Sequence, residues 1–225
     1  MKSVFAMTKN VKSFLAVAKR LETKEAGVPG LALVWGTRGL GKTRTAIWYA
    51  AKNGAVYVRA KSLWTPAWML EELAVELDLV PAKRKKDLFS DICNALIEKP
   101  RLIIVDEVNL PALKCLEALR DIHDTTETPM ILIGHDGIIP RLKRMGPFFS
   151  RFLYITEFKP LDEEDLEEFC RACVDLPVSE AARKAVLKLT GGNFRKIVVV
   201  LKGMEIRAKT AKAKEITPEF LPREV

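Results

Sequence analysis

The apolar positions of this chain follow two kinds of spacing, and the mixture changes once. Through the first 160 residues, short runs of aliphatic and β-branched residues recur at Leu31–Trp35, Ala55–Arg59, Leu102–Val105, Met130–Ile133 and Phe152–Ile155. Each is of strand length with little polar alternation, as in strands buried on both faces. Helix-spaced segments separate them, at Thr43–Asn53, Ala67–Leu77, Lys86–Glu98 and Ala112–His123. That alternation predicts an α/β domain with a five-stranded parallel sheet flanked by helices. Ahead of it, "MTKNVKSFLAVAKRL" reads as an amphipathic helix. Lys9 and Lys12 break its apolar face, which argues against a secretory signal.

After Pro160 no strand pattern returns. "LDEEDLEEFCRACVDL" sets Leu166, Phe169, Cys170, Cys173 and Val174 on one helical stripe, with Asp162 as N-cap and three acidic residues in the first turn. A second helix is predicted from Ser179 to Thr190, ended by Gly191-Gly192, and a third from Asn193. The predicted division is therefore 1–160 and a small all-helical domain, 161–225, with a loosely held tail after Lys209.

Composition narrows the picture only a little. With 225 residues, 48% hydrophobic and 29% charged, the chain supports one full core and a small appended domain, and it resembles neither a disordered chain nor a coiled coil. A net charge of +8 favours an acidic partner, nucleic acid or anionic lipid. No run approaches the ~18 apolar residues that cross a bilayer. Four cysteines form no disulfide framework, so a reducing cytoplasm is expected. "CRAC" belongs to the apolar stripe and reads as core packing rather than as a redox or zinc site.

The chemistry lies in two motifs. "GTRGLGKT", Gly36 to Thr43, follows a strand and opens a helix, as a phosphate-binding loop must. Gly36, Gly39 and Gly41 let the backbone curl, so that the N–H groups of Thr37, Arg38, Leu40 and their neighbours through Arg44 can face phosphate oxygens. Lys42 would neutralise the β- and γ-phosphates, and the Thr43 hydroxyl would ligate Mg²⁺. "RLIIVDEVN" then delivers Asp106 and Glu107 to a strand's carboxyl end. Asp106 would hold the Mg²⁺ of bound ATP. Glu107 would orient and polarise water, which points to hydrolysis rather than group transfer.

A phosphate loop, an Asp-Glu pair, a further strand and a helical domain together resemble the AAA+ ATPases over nearly the whole chain. The resemblance implies three more roles. His135, in "MILIGHD", stands at the sensor 1 position, where the family more often has Asn, Thr or Ser. Arg151, in "PFFSRFLYI", resembles the arginine finger that reaches a neighbouring subunit's nucleotide, with Arg144 as the competing candidate. Arg195, in "TGGNFRKI", resembles sensor 2, acting on the γ-phosphate in cis.

Within that family the segments "VYVRAKSLWTPAWMLEELAVELDL", "DEVN" and "GGNFR" look most like the DNA-transposition ATPases of the phage Mu B, TniB and TnsC group. Phage Mu B carries an additional N-terminal DNA-binding region for which this chain has no room, so DNA contact is expected from the core or lid. Candidate contacts are Lys61, the run Lys83, Arg84, Lys85 and Lys86, and Arg141, Lys143 and Arg144. Trp64 and Trp68 read as packing residues. The resemblance implies an ATPase that binds duplex DNA with little sequence preference and assembles with ATP into a homo-oligomer, a filament or a ring. It also implies activation of a transposase, in a bacterial or phage setting and without a membrane. A helicase-loader or replication-initiator-like ATPase and a signalling NTPase switch are the alternatives.

Overall fold

The computed structural model describes residues 4–25, 27–80 and 84–222. The strands are β1 (Leu31–Trp35), β2 (Val56–Arg59), β3 (Ile103–Asp106), β4 (Met130–Ile133) and β5 (Phe152–Glu157). All pair in parallel, in the order β2-β3-β4-β1-β5. The central strands earn their place by composition: Ile103, Ile104, Val105, Ile131, Leu132 and Leu33 are fully buried. Each such side chain contributes about 1.5–3 kcal/mol relative to exposure. The two edge strands depart from burial on both faces. β5 alternates between half-buried and exposed positions, and Leu153 and Ile155 are 42% and 44% exposed. In β2, Tyr57 is half-buried and Arg59 exposed.

The helices are α1 (Lys9–Glu22), α2 (Lys42–Asn53), α3 (Pro66–Glu76), α4 (Lys85–Glu98), α5 (Leu113–Thr126), α6 (Ile138–Lys143), α7 (Gly146–Phe149), α8 (Glu163–Cys173), α9 (Glu180–Thr190) and α10 (Phe194–Thr210). Local capping sets several starts. Thr65 accepts the Trp68 N–H ahead of Pro66, Asp162 the Asp165 N–H, Ser179 the Ala182 N–H and Asn193 the Lys196 N–H. The short α6 and α7 have no counterpart in the sequence pattern.

Contacts divide the chain into two units. The sheet unit comprises Phe14–Gly36 and Lys42–Glu157; its main core joins the strands to α3, α4 and α5 through Leu73, Ile92, Leu96, Leu116 and Leu119. The helical unit takes the described residues from Phe158 onward, Thr37–Gly41, and those up to Ser13. This division differs from a cut at residue 160 because the N-terminal segment is tied to the helical unit. The Lys9 N–H donates to Asp165 at 2.6 Å, and the Asn10 side chain exchanges two hydrogen bonds with the Lys159 backbone. The helical unit's core is the stripe Leu166, Phe169, Cys170 and Cys173 against Ile197, Leu201 and Met204. Burial pushes the Cys170 thiol up to about 12, as suits a packing residue.

The described part of the tail is not loose. Ile216 is fully buried and bridges to Val178, the Ser179 N–H donates to its carbonyl, and Arg207 donates to the Phe220 carbonyl at 2.6 Å. A buried isoleucine outweighs the polar Lys/Ala pattern around it. No helix among the described residues is long and apolar enough to cross a membrane.

Candidate active site

β3, β4 and β1 are neighbours, so the segments leaving their carboxyl ends lie side by side. At ~4.8 Å per strand, Gly36, Asp106 and Gly134 emerge within about 10 Å of one another. In the sheet unit, Lys42 opens α2 with only 9% of its surface exposed, and its Nζ donates to the Gly36 carbonyl at 2.5 Å. The Thr43 hydroxyl donates to Asp106 Oδ2 at 2.6 Å. Tyr57, which the sequence pattern did not single out, donates to the same oxygen at 3.1 Å. Burial and the Asp106 charge raise the Tyr57 pKa, keeping its proton in place. Asp106 is 2% exposed, and its Oδ1 accepts the Glu107 N–H at 2.8 Å. A hydroxyl and a carboxylate within hydrogen-bond reach form the small oxygen donor set that Mg²⁺ uses together with nucleotide phosphates. Among the described residues, no larger cluster of His, Cys, Asp and Glu suits a metal.

Glu107 has a left-handed backbone, φ 59°, which costs a non-glycine residue about 1–2 kcal/mol. Its carboxylate is 3.4 Å from the Arg59 guanidinium. Arg59 pairs in register with Asp106 across β2 and β3, so the edge strand's "VYVR" presents Tyr57 and Arg59 to the two adjacent acids. The sequence signal was the period-2 spacing of Tyr57 and Arg59. Its meaning depended on which strand pairs with β2.

His135 follows β4, beside the turn after Glu107. Its N–H donates to Asn109 Oδ1 at 2.8 Å, and its Nδ1 is 2.8 Å from the Asp136 carbonyl. A carbonyl only accepts, so Nδ1 carries a proton. In that tautomer Nε2 is the acceptor nitrogen of the ring.

In the helical unit the apex of the phosphate loop packs on the start of α10. Asn193 Nδ2 donates to the Arg38 carbonyl at 2.9 Å, and the Arg195 N–H donates to the Gly39 carbonyl at 2.9 Å. Gly39 has φ 87°, and a Cβ there would stand 2.6 Å from Asn193 Oδ1, so both the turn and the close approach require glycine. Leu40 is buried, whereas the Thr37, Arg38, Arg44 and Arg195 side chains are exposed. Asn193 thus caps α10 and holds the loop at once.

Arg151 lies at the opposite edge of the sheet. It precedes β5, so a strand length of roughly 13–20 Å separates it from the carboxyl ends. Its guanidinium makes a two-toothed bridge to Asp124 at 2.6 and 2.8 Å and also donates to the Pro147 carbonyl. Of the expected DNA contacts, Arg84, Lys86, Lys143 and Arg144 are exposed. Lys61 is paired with Glu72 and lies 5.0 Å over the Trp68 ring. Arg141 is committed to main-chain carbonyls at 108–111. Lys83 and the Lys85 side chain lie outside the described residues.

A family model described as an AAA domain matches residues 26–142, more than half of the chain, and the chain belongs to that family of P-loop ATPases. It is similar to the ATP-dependent target DNA activator B of Escherichia phage D108, 30% identical over 151 residues, covering 63% of this chain and 48% of the relative. The protein of the same name from Escherichia phage Mu is 29% identical over the same shares. The chain therefore spans about half the length of these curated relatives. Among solved structures, Cdc6p from Pyrobaculum aerophilum superposes with a TM-score of 0.70 at 16% identity, covering 94% of this chain and 64% of that one. At that identity the likeness speaks for the AAA+ fold alone.

Proposed function

We propose that this protein is an ATP-dependent, largely sequence-independent DNA-binding ATPase that assembles on duplex DNA and directs or activates a transposase there. The observation that carries the nucleotide half is the pairing of Thr43 with Asp106, 2.6 Å apart, beside a buried Lys42. The DNA half is supported by the name shared by the two phage relatives and by the exposed cations at Arg84, Lys86, Lys143 and Arg144.

In this reading the loop N–H groups and Lys42 bind the triphosphate, and Thr43 and Asp106 hold the Mg²⁺. The metal, when bound, neutralises charge on the β- and γ-phosphates. Glu107 orients the attacking water and takes up its proton, and the Arg59 pair sets where that carboxylate rests between turnovers. Arg195 meets the γ-phosphate from its own chain, and His135 Nε2 accepts from water. Arg151, too far from its own nucleotide, acts on a neighbour's. ATP favours the homo-oligomer, and hydrolysis dissolves it. The setting is the cytoplasm of a bacterium, with the protein encoded by host or phage.

Electron microscopy of the protein with duplex DNA tests this reading. With a non-hydrolysable ATP analogue, filaments or rings on the duplex are expected. Equal assembly with ADP, or only monomers with either nucleotide, would refute it. Preference for single strands together with a co-purifying helicase would favour the loader alternative.

A further inference from the structure

The turn leaving β3 is gripped by one guanidinium. Arg141 projects from α6, whose Ile138 and Leu142 are fully buried. Its Nη1 donates to the Asn109 carbonyl and, at 3.5 Å, to that of Val108, while its Nη2 donates to the Pro111 carbonyl. A rigid fork of N–H donors can gather several carbonyls at once, which a single ammonium does poorly. On the other side of the turn, Asn109 Oδ1 accepts the His135 N–H at 2.8 Å. A Cβ on Gly134 would stand 2.7 Å from that oxygen, so glycine makes room for the contact. Glu107 begins this turn, with φ 59° and its carbonyl accepting the Leu110 N–H at 2.9 Å. A left-handed non-glycine residue persists only where its surroundings over-determine it. Among the described residues, Arg141 is the one side chain that donates to three carbonyls of the turn, those of Val108, Asn109 and Pro111.

We propose that Arg141 is a positioning residue for Glu107 rather than a DNA contact: by holding the turn 108–111 it keeps Glu107 in its left-handed conformation and, through Asn109, fixes His135 in the same frame. The inference rests on Glu107 acting in ATP hydrolysis. Because the guanidinium's hydrogen bonds go to main-chain carbonyls of this turn, its loss alters the placement of the carboxylate and leaves the phosphate-binding groups as they were.

The test is single-turnover and steady-state ATP hydrolysis, with binding of a fluorescent ATP analogue, for Arg141→Ala and Arg141→Lys, each alone and combined with Glu107→Gln. Arg141→Ala is expected to lower kcat on the order of 10- to 100-fold, the scale of a small misplacement. Nucleotide affinity should stay within twofold and the salt dependence of duplex binding should be unchanged. Arg141→Lys should recover only part of the loss. On top of Glu107→Gln, Arg141→Ala should cost far less turnover than it does in the wild-type background.

Turnover within twofold of wild type in Arg141→Ala would overturn the proposal, as would a loss that persists in full in the Glu107→Gln background. A fall in nucleotide affinity instead of kcat would do the same, and a flattened salt dependence would return Arg141 to the DNA surface. Should Arg141→Ala fail to fold, Arg141→Lys decides alone: a kcat-only loss at the wild-type Tm supports the proposal, and an unchanged kcat overturns it. A wild-type protein that hydrolyses no ATP would defeat the hydrolysis reading and the proposal together. Wild-type turnover with insensitive Arg141 variants would strike the proposal alone.

Discussion

The carboxyl ends of β3, β4 and β1 and the amino end of β5 are built by opposite rules. At the first, Lys42 is buried against a main-chain carbonyl, and Asp106 is held by Thr43, Tyr57 and the Glu107 N–H. These polar groups hold one another in place, and a preset arrangement of that kind lowers the cost of binding a phosphate. At the second, the Arg151 guanidinium, about a third exposed, is neutralised by an equally exposed Asp124. The pair's two parallel hydrogen bonds place it among the stronger of partly exposed pairs, yet it is one bridge open to water and salt. One end is a finished site. The other is a partly exposed cation held in a single bridge.

The comparison breaks first at Lys42. Lys42→Ala is expected to abolish nucleotide binding and ATP-dependent assembly, measured with a fluorescent ATP analogue and by sedimentation; retained affinity would mean that the end is not preset for phosphate. Arg151→Ala should still bind ATP while losing DNA-stimulated turnover on the order of 10³-fold, the range of an arginine finger. Asp124→Asn separates the two uses of Arg151. A finger freed from its bridge keeps or gains turnover, whereas a purely structural bridge makes both variants lower Tm alike and leaves turnover intact. If full activity survives in Arg151→Ala, the finger moves to Arg144.

A smaller effect is expected from the surface cations. Replacing Arg84 and Lys86 by alanine should flatten the slope of log affinity against log salt by ~0.9 per lost phosphate contact. Lys61→Ala should leave the slope unchanged, because Lys61 is paired with Glu72. The smallest effect is on stability. His123, 6% exposed, accepts the Gly30 N–H at Nε2 and bonds the Thr128 carbonyl through Nδ1, and burial lowers its pKa. Below the ordinary value of about 6.5 the unfolded chain binds this proton and the fold does not. The His123 contribution is therefore full above that pH and lost as pH falls through the lowered value. Urea midpoints should decline over that window, and His123→Gln should remove the decline.

What could be read from the sequence was what depends on neighbours in the chain. "GTRGLGKT" and "IIVDE" encode their geometry within a few residues, and all five strands fall where aliphatic runs do. The rest required pairing partners. The alternation of Leu153 and Ile155 follows from β5 lying at an edge, which run length alone does not reveal. Tyr57, Arg59, Asn109 and Asp124 are ordinary residues until β2 lies against β3, the β3 turn against the end of β4, and α5 beside Arg151. Arg141 makes the same point: a cation in a basic stretch looks solvated until the carbonyls it bonds are placed. Ile216 was hidden by the lysines around it.

The decisive measurement is the affinity for a fluorescently labelled duplex, by anisotropy, with ATP, ADP and no nucleotide. Tight binding with ATP alone, steeply weakened by salt and prolonged in Glu107→Gln, is expected. Equal affinity under all three conditions would contradict the claim that the site at the carboxyl ends of β1 and β3 governs the grip on DNA.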